Sequence, residues 1–230
     1  MLPSVGRRRT RSAFMIGYLR YRRLLGQVYP PRYSNLIKIV YRERSRRIVE
    51  IGVDSGYRAR LMIETASLNH PASAVEYFGF DLFGGERGEG GVLMRAEFSN
   101  RPSRVQQVQG RLRATGAQVR LFQGDTRTTL RPAFAEIGVP DLVFISGRGS
   151  AAGVSSDWNA VRAAIGQETI VVLDDYHVEA GPELESAGCQ RVIGALDPEE
   201  YEVEQLRPVD VFEEAWGTRL VAMVRVRRRS

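Results

Sequence analysis

Short runs of β-branched and aromatic residues alternate with stretches of helical periodicity along most of this chain, and that alternation restricts the fold more than any other feature of the sequence. Residues 47–52 (RIVEIG), 75–81 (VEYFGFD), 118–124 (QVRLFQG), 141–146 (DLVFIS) and 169–175 (TIVVLDD) read as strands. The intervening stretches read as helices: 58–67, a segment opened by Pro102 with Val105, Val108 and Leu112 at helical spacing and closed by Gly116, 127–137, and a stripe of Val154, Trp158, Val161 and Ile165. In that stripe Trp158 is expected to pack in the core rather than to serve a ligand. A short helix carrying Cys189, Val192, Ile193 and Leu196 precedes two more strands, 201–206 and 219–226. Strands that are apolar on both faces and separated by helices pair in parallel, with helices covering both sides of the sheet. The expected fold is therefore a doubly wound α/β sheet.

The chain has 230 residues, 43% apolar and 26% charged, enough to bury one sizeable core as one domain. A single cysteine, Cys189, excludes an internal disulfide and a thiolate zinc cluster. The apolar run 13–19 is cut off by Arg20, Arg22 and Arg23 and falls short of the roughly 20 residues needed to cross a bilayer. No membrane span or secretory signal is expected, and a cytoplasmic location is.

Charge is segregated. Residues 1–47 carry 13 basic side chains against one acid, Glu43, and Arg225, Arg227, Arg228 and Arg229 add four more positive charges at the other end. Since the net charge is only +6, residues 48–224 carry −10. Residues 1–46 are set apart as a basic, partly helical arm ahead of a catalytic-type domain at 47–230. Such an arm suits nucleic acid, an anionic membrane or an acidic protein surface. Lys38, however, is the only lysine beside 32 arginines, a chain-wide preference rather than selection at one face. Met15, Leu19 and Leu25 also fit a helix packing on its own domain or on a second subunit. A small-molecule substrate is the expected partner, nucleic acid is not, and a homo-oligomer is left open.

In an open parallel sheet, ligands bind beyond the carboxyl ends of the strands. Those ends are polar here. The first runs into Gly52-Val53-Asp54-Ser55-Gly56, a G-x-x-x-G turn whose small residues let backbone approach a ligand, though any tight strand-to-helix turn would use them too. The second ends in Asp81, about 30 residues beyond Glu50, where a carboxylate can accept both hydroxyls of a ribose. The third ends in Gly124-Asp125-Thr126, placed to meet an adenine edge or, equally, to cap the helix at 127–137. A nicotinamide-dinucleotide site would need G-x-G-x-x-G, which the turn lacks.

In their order and separations these strand ends resemble the S-adenosylmethionine-dependent methyltransferases of the Rossmann-like class. The closest branch is the macrocin and sugar O-methyltransferases that act on small molecules. The segments that carry the likeness are Val49-Glu-Ile-Gly-Val53, Tyr77-Phe-Gly-Phe-Asp-Leu-Phe83, Asp141-Leu-Val-Phe-Ile145, Ser156-Asp-Trp158 and Val172-Leu-Asp-Asp-Tyr176. The resemblance implies a seven-stranded sheet with its last strand antiparallel. It implies S-adenosylmethionine as cofactor, with Gly52 to Gly56 toward the methionine moiety, Asp81 toward the ribose and Asp125 with Thr126 toward the adenine. Glu50, Val53, Ser55, Leu82, Phe83, Gly124, Ser146 and Gly147 complete the implied cofactor-lining set.

The sequence also departs from that branch. Metal-dependent members end the fourth strand in Asp-Gly-x-His-Ser and add an Asp-Asp pair after the fifth. Asp174 and Asp175 match the pair, but Ser146 stands in the first ligand position and Gly149 in that of the histidine. A hydroxyl removes a full negative charge from a site for a hard cation, so at most a weak magnesium site at Asp174 and Asp175 is expected. An acceptor alcohol must lose a proton, and Asp174 and His177 are the catalytic candidates, His177 because its ordinary pKa suits a general base. The Asn/Asp-Pro-Pro-aromatic run of enzymes that methylate bases is replaced by Ile145-Ser-Gly-Arg-Gly-Ser150. The leading expectation is O-methylation of a hydroxyl on a sugar or secondary metabolite. Two alternatives are a degenerate member serving as a cofactor-binding or partner subunit, and an RNA methyltransferase using the arginine arm.

Overall fold

A computed structural model describes residues 5–83, 105–146, 150–178, 188–214 and 217–229, with side chains from Met15 onward. Its elements in chain order are α1 (Val5–Leu25), α2 (Ser34–Arg42), β1 (Arg47–Ile51), α3 (Tyr57–Ala66), β2 (Glu76–Asp81), α4 (Val105–Arg113), β3 (Gln118–Gln123), α5 (Thr126–Ile137), β4 (Leu142–Ile145), α6 (Ala151–Arg162), β5 (Ile170–Val178), α7 (Gly188–Gly194), β6 (Tyr201–Gln205), β7 (Asp210–Glu214) and β8 (Gly217–Arg228). One turn of 3-10 helix, Pro31–Tyr33, joins α1 to α2 across a proline pair, and another, Ala72–Ala74, precedes β2.

The sheet order is β3-β2-β1-β4-β5-β8-β6. The pairs from β3 to β5 are parallel, and β8 runs antiparallel to both β5 and β6. This is the doubly wound α/β fold that the alternation predicts. The order reverses at β1 and β4, so the rim above those two strands is the crevice in which such sheets take ligands.

One strand more than the seven expected is present among the described residues. β7 pairs with the first half of β8 while β6 pairs with its second half, on the same side. The two would be one strand but for residues 206–209, where Pro208 has no N–H to give the ladder. Nothing in Asp-Val-Phe-Glu-Glu alternates strongly enough to mark β7 from sequence.

Two apolar layers flank the sheet. One joins α1 to α4 to residues such as Ile48, Tyr77, Phe144, Val172 and Met223; the other joins α5 to α7 to Val49, Phe80, Ile145, Leu173 and Val224. The alternation of neighbouring strand residues between these lists is the two-residue period of a strand covered on both faces. Trp158 lies in the second layer, edge-on to Tyr201 at 5.5 Å. The segment read as an arm joins the first layer through Tyr21, Leu24, Leu36, Ile37 and Val40. Met15 and Leu19 do not pack on their own domain but are exposed on the single chain, because the buried face of α1 is the one carrying Tyr21 and Leu24. The glycine-rich segment 84–91, Gly147 and Gly149 lie outside the described residues.

Candidate functional site

After Ile51 the chain turns through residues 52–56 with Gly52, Asp54 and Gly56 all at positive φ (91°, 53° and 75°) before α3 begins. Glycine is required at the first of these: a Cβ on Gly52 would sit 2.9 Å from the Cβ of Ser146. Four strand ends are stitched together around this turn. Gly52 donates its N–H to the carbonyl of Phe80 at 2.8 Å, and Ser146 donates to that of Ile51 at 3.0 Å. Asp81 gathers the rest: Oδ2 accepts from the amide of Asp54 (2.9 Å), Oδ1 from that of Phe83 (2.9 Å), and its carbonyl from that of Gly124 (3.1 Å). The glycine turn, Asp81 with Leu82, and Gly124 to Thr126 therefore share one rim.

At its outer end Asp125 caps α5, accepting from the amide of Arg127 at 2.9 Å and pairing with the Arg127 guanidinium. Those hydrogen bonds hold its carboxyl below the ordinary value. The capping role is thus real and leaves the residue partly exposed on the rim. Beside it, Thr126 bonds the carboxyl of Asp157 on α6, which burial pushes up to about 6. Asp157 Oδ1 is buried with no hydrogen-bond partner among the described residues, a state that a bound donor would relieve.

The side chain of Glu50 does not face this rim. It is fully buried, takes a hydrogen bond from the hydroxyl of Tyr77 and pairs with Arg58 Nε at 3.3 Å. Burial raises its pKa to about 7. Arg58 in turn donates through Nη2 to the carbonyl of Gly52 at 2.9 Å. Glu50 thus acts on the turn through Arg58, correcting the expectation of a cofactor-lining carboxylate. The side chains of Val53 and Phe83 are likewise buried in the first layer.

A larger correction concerns Asp174. Its side chain has no solvent exposure, and both oxygens are taken: Oδ1 by Arg32 Nε at 2.8 Å, Oδ2 by the Tyr33 hydroxyl at 2.7 Å and by Arg32 Nη2 at 3.3 Å. Arg32 extends on its other side to Asp210 of β7, through Nη1 and through its own amide at 3.0 Å. The residues do not fit a metal here, because the anchoring carboxylate is sealed by a guanidinium and Ser146 offers no charge. Among the described residues no group of three or more His, Cys, Asp or Glu is placed to hold an ion. His177 is also buried, at 3% exposure, four residues along β5 from Leu173, the last residue of that strand to pair with β4. Neither Asp174 nor His177 reaches the rim as a base. Asp175 does come to the surface, half-buried and at a φ of 64° where the β5 ladder shifts register.

Arg32, Tyr33, Arg58, Asp157 and Asp210 were not singled out as site residues by the sequence. Only Asp157 carried a signal, as part of Ser156-Asp-Trp158. The ion pair of Arg32 with Asp174 spans 142 residues and its bond to Asp210 spans 178, so no local pattern encodes either.

A family profile described as a methyltransferase domain matches residues 49–176. Among curated proteins no sequence match is found. Similar solved structures include the O-methyltransferase of Bacillus cereus in complex with S-adenosylhomocysteine, 12% identical with a TM-score of 0.59, over 95% of this chain and 90% of that one. The O-methyltransferase TomG of Streptomyces achromogenes, involved in tomaymycin synthesis and bound to S-adenosylmethionine, is 14% identical with a TM-score of 0.58 over the same shares. The calicheamicin methyltransferase CalS11 is 16% identical with a TM-score of 0.57, over 92% of this chain and 91% of that one. At these identities the likeness is one of fold.

Proposed function

Because the chain belongs to the methyltransferase-domain family, we propose that it transfers a methyl group from S-adenosylmethionine to a hydroxyl of a small molecule. The observation that carries this reading is the gathering of three strand ends by Asp81, which holds the amides of Asp54, Phe83 and Gly124 at one rim. When bound, the cofactor supplies an electrophilic methyl group on a sulfonium.

The chain's own residues suit an adenosyl group. An adenosine presents two ribose hydroxyls and an exocyclic amine as donors. Each Asp81 oxygen keeps a second lone pair for a hydroxyl after serving its backbone amide. The orphaned Oδ1 of Asp157, beside Thr126, is an acceptor awaiting a donor at the adenine end. The Gly52–Gly56 turn brings backbone rather than side chains to the methionine end. Removal of the acceptor's proton is assigned to Asp175, the one member of the Asp174, Asp175 and His177 set that reaches the surface.

The likeness in fold to TomG, involved in tomaymycin synthesis, and to the calicheamicin methyltransferase CalS11 supports a natural-product hydroxyl as acceptor. No described helix is long and apolar enough to cross a membrane. The cytoplasm is the proposed compartment, in keeping with the single buried cysteine. Calorimetric titration of the folded protein with S-adenosylmethionine and S-adenosylhomocysteine tests the reading. Saturable binding of both at one site per chain is expected, and heat from neither would overturn it.

A further inference from the structure

Two carboxylates, Asp174 on β5 and Asp210 on β7, are buried to within 5% of full enclosure on the face of the sheet covered by α1 to α4. Buried anions persist only where a cation and hydrogen bonds answer them. Here the cation is Arg32, itself 1% exposed, and all three of its guanidinium nitrogens are engaged: Nε and Nη2 face Asp174, Nη1 faces Asp210, and Nη2 also meets the hydroxyl of Tyr33 at 3.3 Å. The turn that delivers it is built for the purpose. Pro30 and Pro31 fix the backbone ahead of Arg32, and Asn35 pins the start of α2 to the carbonyl of Pro208 at 3.3 Å.

The same cation is wired to the rim. The ring of Tyr33, whose hydroxyl bonds Asp174, lies under the Arg58 guanidinium at 5.0 Å, and Arg58 holds the Gly52 carbonyl. A divalent ion at Asp174 would have to displace an arginine that cannot give up its proton, and would find at Ser146 a neutral hydroxyl rather than a further negative charge.

We propose that the Arg32 guanidinium is the resident cation of this site, standing against Asp174 and Asp210 where a divalent metal would otherwise stand, and that the chain binds no metal there. The corollary, that methyl transfer proceeds without a metal, rests on the function proposed above. Arg32 is in this account a positioning residue: it fixes Asp174 and, through Tyr33 and Arg58, the glycine turn.

Electron paramagnetic resonance of Mn²⁺ titrated into the full chain tests this. The wild type is expected to leave Mn²⁺ free. Arg32→Ala, which exposes both carboxylates to any cation, is expected to take up one Mn²⁺ per chain at least about tenfold more tightly, with Mg²⁺ competing. Arg32→Lys, which keeps the charge, should behave as the wild type. A stoichiometric Mn²⁺ site in the wild type, or no gain in Arg32→Ala, would overturn the proposal. If Arg32→Ala is unfolded in metal-free buffer, refolding in Mn²⁺ that restores the native circular dichroism supports the proposal, and failure to restore it contradicts it. Calorimetry with S-adenosylhomocysteine on the same wild-type sample keeps the two readings apart: absence of that binding removes the proposed function and leaves the manganese result standing.

Discussion

The backbone amide of Asp54 donates to Oδ2 of Asp81 at 2.9 Å, so the glycine turn after the first strand is held by the carboxylate that ends the second. Asp81 is therefore both a structural clamp and, in the proposed function, the ribose ligand. Asp81→Ala leaves the amides of Asp54 and Phe83 without their acceptor and should cost about 1–3 kcal/mol of stability. It should also weaken S-adenosylhomocysteine binding at least about tenfold through loss of the paired hydroxyl contacts. Urea unfolding and calorimetry check the two effects. Unchanged affinity in a folded variant would remove Asp81 from the cofactor site.

Fitting a side chain at Gly52 should fail for two separable reasons, its φ of 91° and its contact with Ser146. Gly52→Ala is expected to destabilise the protein by about 2–4 kcal/mol, combining backbone strain with the clash. Ser146→Gly clears the clash and leaves the strain, so the double variant should recover about half of that loss. A double-mutant cycle by chemical denaturation measures the coupling, and strictly additive effects would contradict the packing described.

Burial raises the Asp157 carboxyl from 3.8 to about 6 and that of Glu50 from 4.5 to about 7. In that interval the folded protein holds protons that the unfolded chain has released. The contribution of each group is therefore fully present below its unfolded value and is lost as pH rises through its folded value. Stability should fall between about pH 4 and pH 7, with Asp157 accounting for about 2–3 kcal/mol of the fall. Asp157→Asn, which cannot ionise, should gain on the wild type by that amount between pH 4 and pH 8 in guanidinium unfolding. A constant difference across the range would show that Asp157 titrates normally.

Tyr33→Phe removes one hydroxyl and leaves the ring under Arg58. The lost hydrogen bond to the buried Asp174 should cost about 1–3 kcal/mol, since a charged acceptor is left short of a donor. Thermal unfolding checks this, and a variant as stable as the wild type would mean that Arg32 alone satisfies Asp174.

Much of the architecture could be read along the chain because strand and helix periods are local. Runs such as Ile170 to Leu173 have one interpretation, and the polar residues that close Arg47–Ile51, Glu76–Asp81 and Gln118–Gln123 converge once the strands pair in parallel. The rim could be read for the same reason. The ionic layer beneath it could not. Arg32 is one arginine among 32, in a segment whose charge suggested a solvated face, and only the tertiary fold carries it to Asp174 and Asp210. Asp174 and Asp175 look alike as neighbours after a strand, yet the shift of register at that point buries the first and turns the second toward solvent. Glu50 sits where a ligand carboxylate belongs, but the strand's two-residue alternation sends it into the helical layer, where Arg58 and Tyr77 receive it.

The most direct measurement is a crystal structure of the protein with S-adenosylhomocysteine. Both ribose hydroxyls are expected within hydrogen-bonding distance of Asp81 and the adenine amine beside Asp157, above an Arg32 still locked to Asp174. An adenosyl group bound away from the Gly52, Asp81 and Asp125 rim would contradict it.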